Sequence, residues 1–207
     1  MNSIDTPPTW KVLLIGGHSG TGKTIVSRRI ARRFGVSLAE VDDFRLVLER
    51  MTTPRQQPEL HNLLRVVSEP DTSPEAACEA LVRVGQTISY ALEIVVANHV
   101  ATNTPLILEG DGILPSFAAL DVFAGRDAEN AVRSVFLIET DEEQLFINAA
   151  QRKRGFEDLS LPLQRHGIRR SWLYGQWLRQ EAARFGVNVV ASQPWGTLEE
   201  RIVKAVG

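Results

Sequence analysis

The chain has 207 residues and a formal net charge of −2, with 23 lysines and arginines against 25 acidic residues. This length fits one α/β domain, and without a basic excess we expect no nucleic-acid partner. The single cysteine, Cys78, cannot form an internal disulfide, and we read neither a signal peptide nor an uninterrupted apolar run of about 18 residues, so we expect a cytoplasmic protein with no membrane partner.

Short apolar runs alternate with helical patterns along the chain. The runs predict strands at residues 11–15, 36–41, 106–110, 132–138 and 187–191. Helical spacing of apolar residues predicts helices at residues 24–34, 44–51, 59–67, 75–101, 141–154, 162–185 and 197–206. This alternation predicts an α/β protein with a five-stranded parallel sheet and helices on both faces. We further expect a single domain with a substrate-side helical insertion at about residues 52–104 and a small helical lid at about residues 151–163.

The first predicted strand is followed by a sequence that matches the phosphate-loop pattern GxxxxGK, then Ser or Thr, without a mismatch. The residues predicted to bind the nucleotide are Gly17, His18, Ser19, Gly20, Thr21, Gly22, Lys23 and Thr24. Glycines let backbone N–H groups converge on phosphate oxygens, and the helix N-terminus adds its positive dipole. Lys23 is predicted to bridge the β- and γ-phosphates of ATP, and Thr24 to bind Mg²⁺. His18, at a variable position, is predicted to face the solvent.

Carboxylates follow the second and third predicted strands, where ligands of open α/β sheets bind. We predict that Asp42 accepts a proton from the phosphoryl acceptor or holds the metal through water, with helix N-capping as the alternative for Asp42 and Asp43. Glu109 is predicted to support Mg²⁺, because a metal-bound water would offset the cost of burying its charge. Asp111 is a weaker candidate for contacting the acceptor.

Two segments near the C-terminal half of the chain carry further candidates. Arg152, Lys153 and Arg154 form a basic cluster before Gly155, and we expect Arg152 or Arg154 to stabilise the transferring group, with the choice between them left open. Trp195 lies in a loop after the fifth predicted strand. It is predicted either to contact the adenine ring or to cap the core.

Four segments together resemble the P-loop small-molecule kinases with a nucleoside-monophosphate-kinase-like core, and within them proteins similar to 2-phosphoglycerate kinase. They are LLIGGHSGTGKT at residues 13–24, DDFRLVLER at 42–50, LILEGDGILP at 106–115 and QRKRG at 151–155. The resemblance implies a P-loop NTPase fold with a lid, ATP and Mg²⁺ as cosubstrates, and an acceptor bound near Asp42 and Arg45. The family pattern has a histidine where this chain has Asp111, which leaves the acceptor's identity open.

The sequence therefore predicts transfer of the γ-phosphoryl group of ATP to a hydroxyl or phosphate of a small molecule, with a 2-phosphoglycerate-like acid as one candidate. A GTPase is disfavoured because no NKxD sequence is present. Two alternatives stay open: a regulatory P-loop ATPase that couples hydrolysis to a protein partner, and a phosphotransferase of the antibiotic-modifying or toxin type.

Overall fold

The computed structural model describes residues 7–69, 71–152 and 155–207, and a parallel sheet of five strands lies at its centre. Its strands are β1 (Val12–Gly17), β2 (Ser37–Glu40), β3 (Leu106–Glu109), β6 (Val132–Ile138) and β7 (Asn188–Ala191), in the order β2-β3-β1-β6-β7. A separate antiparallel pair is formed by β4 (Val122–Phe123) and β5 (Arg126–Asp127). The predicted five-stranded parallel sheet is confirmed.

Helices connect the strands and cover both faces of the sheet. Those of the described residues are α1 (Lys23–Phe34), α2 (Val41–Met51), α3 (Pro58–Ser68), α4 (Pro74–Ala101), α5 (Pro115–Ala118), α6 (Glu142–Gln151), α7 (Leu161–Phe185) and α8 (Leu198–Val206), with a 3₁₀ turn at Trp195–Thr197. The elements β4, β5 and α5 were not predicted, because segments of two to four residues show no readable periodicity.

Apolar clusters cover the two faces of the sheet. Leu14 and Leu108 pack with α4 and α7, whereas Leu13 and Ile107 pack with α1 and α8. All four side chains are fully buried, and each such burial contributes roughly 1.5–3 kcal/mol to the gross hydrophobic stabilisation. Because successive residues of a strand point to opposite faces, a strand covered on both sides is apolar throughout.

Helix α4 is long and apolar enough, by length and composition, to cross a membrane. The sequence expectation considered only uninterrupted apolar runs and did not identify it. One side of α4, including Val84, Ile88 and Leu92, is buried in the cluster beneath the sheet. A core helix satisfies the same length and composition test, so this property carries no assignment to a membrane.

The start of α2 differs from the sequence prediction. The helix begins at Val41, directly after β2, so Asp42 and Asp43 lie in its first turn and not before it. The residue at the N-cap is Glu40, whose side chain makes no capping hydrogen bond. N-capping by Asp42 or Asp43 is therefore wrong, although carboxylates in a first turn still interact favourably with the helix dipole.

Candidate functional site

A cavity of about 280 Å³ opens at the carboxyl ends of β1, β2 and β3. The parallel register places Glu109 beside Ile15 of β1 and beside Glu40 of β2. The residues around the cavity come from the phosphate loop, the strand ends, α1, α2 and the end of α6: Ser19, Gly20, Gly22, Lys23, Thr24, Ile25, Arg28, Glu40, Asp42, Glu109, Gly110, Asp111 and Arg152. Most of the predicted site residues thus meet in one place.

The backbone of the phosphate loop requires glycine at two positions in particular. Gly17 and Gly22 have φ of +136° and +80°. A Cβ atom would lie 2.3 Å from the carbonyl oxygen of Leu137 at Gly17, and 2.1 Å from the Trp195 ring at Gly22. Helix α1 begins directly after Gly22, so the unpaired N–H groups of its first turn belong to the same loop. This is the backbone form that binds phosphate.

Lys23 is held inside the site by two oxygen atoms. Its Nζ lies 2.9 Å from the carbonyl oxygen of His18 and 2.5 Å from Oδ1 of Asp111. The Lys23 side chain is 7% exposed and that of Asp111 is 36% exposed. Asp111, a weaker candidate for contacting the acceptor, is therefore the ion-pair partner of Lys23 in this structure, and a bound phosphate would compete with it.

Glu109 at the end of β3 and Thr24 in the first turn of α1 both line the cavity. Glu109 is 3% exposed. Burial raises the pKa of its carboxyl, and a hydrogen bond with the Thr24 side chain acts in the opposite direction. Hydroxyl and carboxylate oxygens suit Mg²⁺, so these residues fit the predicted metal. Among the described residues, no group of three or more His, Cys, Asp or Glu side chains could hold a metal ion.

Asp42 lines the cavity, whereas Arg45 does not. Partial burial in the cleft raises the pKa of Asp42, the charge of Asp111 adds to this effect, and Arg45 opposes it. The Arg45 Nε atom is 3.8 Å from Oδ1 of Asp42, and its Nη1 donates to Glu49 at 2.9 Å. The Asp42 carboxyl thus lies in the site. Arg45, which was predicted to bind the acceptor, instead forms ion pairs with Asp42 and Glu49 on its own helix.

Arg152 reaches the phosphate loop from the end of α6, where its Nη1 donates to Oγ of Ser19 at 3.2 Å. The other predicted catalytic arginine, Arg154, and its neighbour Lys153 lie outside the described residues. Trp195 does not line the cavity, and its ring packs against Gly22 of the phosphate loop. Its contact is with the loop backbone, next to the site.

The predicted solvent-facing position of His18 is wrong. Its side chain is fully buried and does not line the cavity. Burial, and then the charge of Lys23, lowers the pKa of the imidazole to about 4. Gly17 and Thr21 also lie behind the cavity, where the Thr21 hydroxyl donates to the carbonyl oxygen of His18 at 2.9 Å. These three residues support the loop from within the protein.

Sequence reasoning missed several residues of the site. Asn148 of α6 is buried and donates to the carbonyl oxygen of Gly20 at 3.0 Å, a role that its position in a helix does not indicate. Glu40 and Arg28 line the cavity and form an ion pair of 3.0 Å. The rule that led to Asp42 applies equally to Glu40. It was missed because the predicted strand extended one residue too far.

No protein-family model matches the chain. A tRNA dimethylallyltransferase from Syntrophobacter fumaroxidans is 24% identical over 166 residues, which cover 77% of this chain and 44% of that protein. The chain thus spans less than half the length of this curated relative.

Solved structures of kinases superpose on nearly the whole chain. A sugar kinase from Janibacter sp. HTCC2649 covers 96% of this chain and 94% of its own, with 17% identity and a TM-score of 0.52. A gluconokinase from Sinorhizobium meliloti 1021 covers 97% and 93%, with 16% identity and a TM-score of 0.51. These likenesses show that the chain has the fold of the P-loop kinases.

Proposed function

We propose that this chain is an ATP-dependent, Mg²⁺-requiring phosphotransferase that transfers the γ-phosphoryl group to a hydroxyl or phosphate group of a small molecule. The observation that carries the proposal is the shared cavity in which the phosphate loop and Lys23 face the carboxyl groups of Asp42, Glu109 and Asp111. A phosphate-binding backbone opposite carboxylates is the arrangement that phosphoryl transfer to a hydroxyl requires.

Each residue has a distinct role in this proposal. Lys23 balances negative charge on the transferring group, and Arg152, which donates to Ser19 of the phosphate loop, adds a second cation. Asp42 accepts the proton of the acceptor hydroxyl, for which its raised pKa is favourable. Thr24 and Glu109 would hold Mg²⁺, which neutralises charge on the phosphates when bound. Arg154 is proposed as the alternative to Arg152.

The acceptor is proposed at the level of a chemical class. A 2-phosphoglycerate-like acid is one candidate, taken from the sequence resemblance, and the proposed base Asp42 lines the same cavity as the phosphate loop. The tRNA-directed activity named for the curated relative is not extended to this chain, since the identity is 24% and the net charge is −2. Nucleic acids bind mainly to proteins with a basic surface.

The decisive experiment measures ADP release from ATP and Mg²⁺ across a panel of 2-phosphoglycerate and other hydroxy acids, sugars, nucleosides and aminoglycosides. We expect ADP release that depends on one acceptor class, with the phosphorylated product identified by mass spectrometry. Slow hydrolysis that rises only with an added protein would favour the regulatory ATPase instead. Phosphorylation confined to aminoglycosides would indicate the antibiotic-modifying type.

Replacing Glu109 with glutamine should raise the Mg²⁺ concentration that gives half-maximal rate by roughly 10-fold or more. The amide keeps the shape of the side chain but loses the negative charge that attracts the cation and its water. The measurement is the rate at saturating ATP as a function of free Mg²⁺. Glu199→Gln is the matched control, because Glu199 in the first turn of α8 also forms an ion pair, with Arg33 at 3.5 Å, and does not line the cavity. Its Mg²⁺ dependence should match that of the wild type. The same Mg²⁺ dependence in Glu109→Gln as in the wild type would give Glu109 a structural role.

A further inference from the structure

One segment of α7, residues 170–175, contacts both α3 and the phosphate loop, and we call it the bridging turn. Nη1 of Arg170 donates to the carbonyl oxygen of Val67 at the end of α3, at 2.6 Å. The next residue, Ser171, donates from Oγ to the carbonyl oxygen of Ser19 in the phosphate loop, at 3.0 Å. Two consecutive residues of α7 thus form hydrogen bonds with α3 and with the phosphate loop.

The bridging turn also contacts the residue that pairs with the catalytic lysine. The hydroxyl of Tyr174 donates to the carbonyl oxygen of Asp111 at 2.6 Å, and the Tyr174 side chain is 1% exposed. Asp111 in turn holds Lys23 at 2.5 Å. The same turn of helix therefore supports both the phosphate loop and the partner of its lysine.

The hydrogen bonds around His18 determine which of its nitrogen atoms carries the proton. Ser171 uses its only proton on the carbonyl oxygen of Ser19, so its Oγ accepts from Nδ1 of His18, at 3.2 Å. The backbone N–H of Glu139, just beyond β6, donates to Nε2 of His18 at 3.0 Å. The ring is therefore neutral and protonated on Nδ1, which agrees with a pKa lowered to about 4 by burial.

The fit between the ring and α7 leaves no space for another side chain. A Cβ atom at Gly175 would lie 2.5 Å from Cδ2 of His18, so glycine at this position permits the helix to lie directly on the ring. With both nitrogen atoms bonded and the ring fully buried, His18 joins three elements: the phosphate loop, α7 and the end of β6.

We propose that His18 is a positioning residue that fixes the phosphate loop to the bridging turn, so that the contact of the bridging turn with α3 helps to set the shape of the loop and its affinity for nucleotide. His18 acts through the loop backbone and touches no substrate. The inference rests on the proposed function in one respect, that nucleotide phosphates bind this loop.

The test begins with Ser171→Ala, which removes the hydroxyl shared by His18 and Ser19. Losing such a hydrogen bond typically corresponds to about a five-fold change in an equilibrium constant. We expect calorimetry with ATP and Mg²⁺, without acceptor, to give a Kd about five-fold higher than that of the wild type. Ser89→Ala is the matched control, because its hydroxyl donates to Gly85 within α4 at 2.7 Å and is remote from the loop. Its Kd should not change.

Two further variants test the remaining links. His18→Gln, which keeps an acceptor for Glu139, should weaken ATP binding, and the double variant His18→Gln, Ser171→Ala should lose less than the product of the two single effects, because the two residues share one network. Arg170→Met keeps the length of the side chain and removes the bond to Val67. Because this variant also removes a charge that acts on Asp111, its readout is hydrogen exchange of residues 17–22 without nucleotide. Faster exchange supports the link to α3, and unchanged exchange overturns that link.

Hydrogen exchange separates this inference from the proposed function. In the protein without nucleotide, Ser171→Ala should speed exchange of the amides of residues 17–22 about five-fold, while Ser89→Ala leaves them unchanged. If the wild type binds no ATP, the proposed function fails, and the exchange rates still decide the role of His18. Unchanged exchange and unchanged Kd in Ser171→Ala would overturn the inference.

Discussion

Replacing Lys23 with alanine should lower turnover by roughly 10³-fold or more, because Lys23 is the one buried cation among the described residues that line the cavity. The lysine side chain is 7% exposed, and its Nζ already lies within the loop, 2.9 Å from the His18 carbonyl oxygen. The measurement is kcat at saturating ATP and acceptor. The affinity for ATP should fall less than kcat, since the backbone N–H groups that bind phosphate remain.

The fold should survive this substitution. Asp111 loses its partner, but its side chain is 36% exposed and can be solvated. Lys204→Ala is the control, because Lys204 is an exposed residue near the end of α8. We expect wild-type kcat in that variant and a cooperative thermal transition in both. Turnover close to that of the wild type in Lys23→Ala would remove the phosphotransferase proposal.

Asp42→Asn should lower turnover by roughly 10²-fold or more, the usual range for losing a general base. Asparagine has nearly the same volume as aspartate but does not accept a proton at neutral pH. The Asp42 side chain is 70% exposed, so the melting temperature should barely change. Asp43→Asn is the matched control, because Asp43 is the next residue of α2, is exposed and does not line the cavity. It should keep its activity.

The pH dependence gives a second readout for Asp42. Partial burial and the charge of Asp111 raise the pKa of Asp42. As the pH is lowered, the Asp42 carboxylate therefore becomes protonated, and the rate falls, before the pH reaches about 3.9, the pKa of an unperturbed aspartate. The part of this acid limb of kcat/KM that Asp42 causes should be lost in Asp42→Asn. Any remaining limb is assigned by comparison with Glu109→Gln, because burial also raises the pKa of Glu109. A variant that retains both the wild-type rate and the acid limb would show that another group, with Asp111 the nearest candidate, accepts the proton.

The backbone form of the phosphate loop was predictable, because a short local sequence determines it. Positive φ at Gly17 and Gly22 follows from the pattern itself. The position of Glu109 at the cavity was also predictable, because ligands of open parallel sheets bind at the carboxyl ends of the strands. Neither inference needed a contact between distant parts of the chain.

The surroundings of His18 and Lys23 were not predictable in this way. His18 has the position of a variable loop residue, and only the packing of α7, about 150 residues later, buries its ring against Gly175. The ion pair between Lys23 and Asp111 likewise depends on the distance between the loop and the end of β3. Hydrogen bonds and ion pairs between distant segments produce no periodic pattern of residues in the sequence, so they cannot be predicted from it in this way.

By itself, the sequence determined the parallel α/β fold and the phosphate loop, because both arise from local patterns: apolar runs that alternate with helices, and glycines at fixed spacing. Only the tertiary structure decided which side chains face the cavity. It placed Asp42 there and engaged Arg45 with Glu49 on its own helix. Residues of α2 that are three or four positions apart share a face, but the direction of that face is set by packing against α3 and α4.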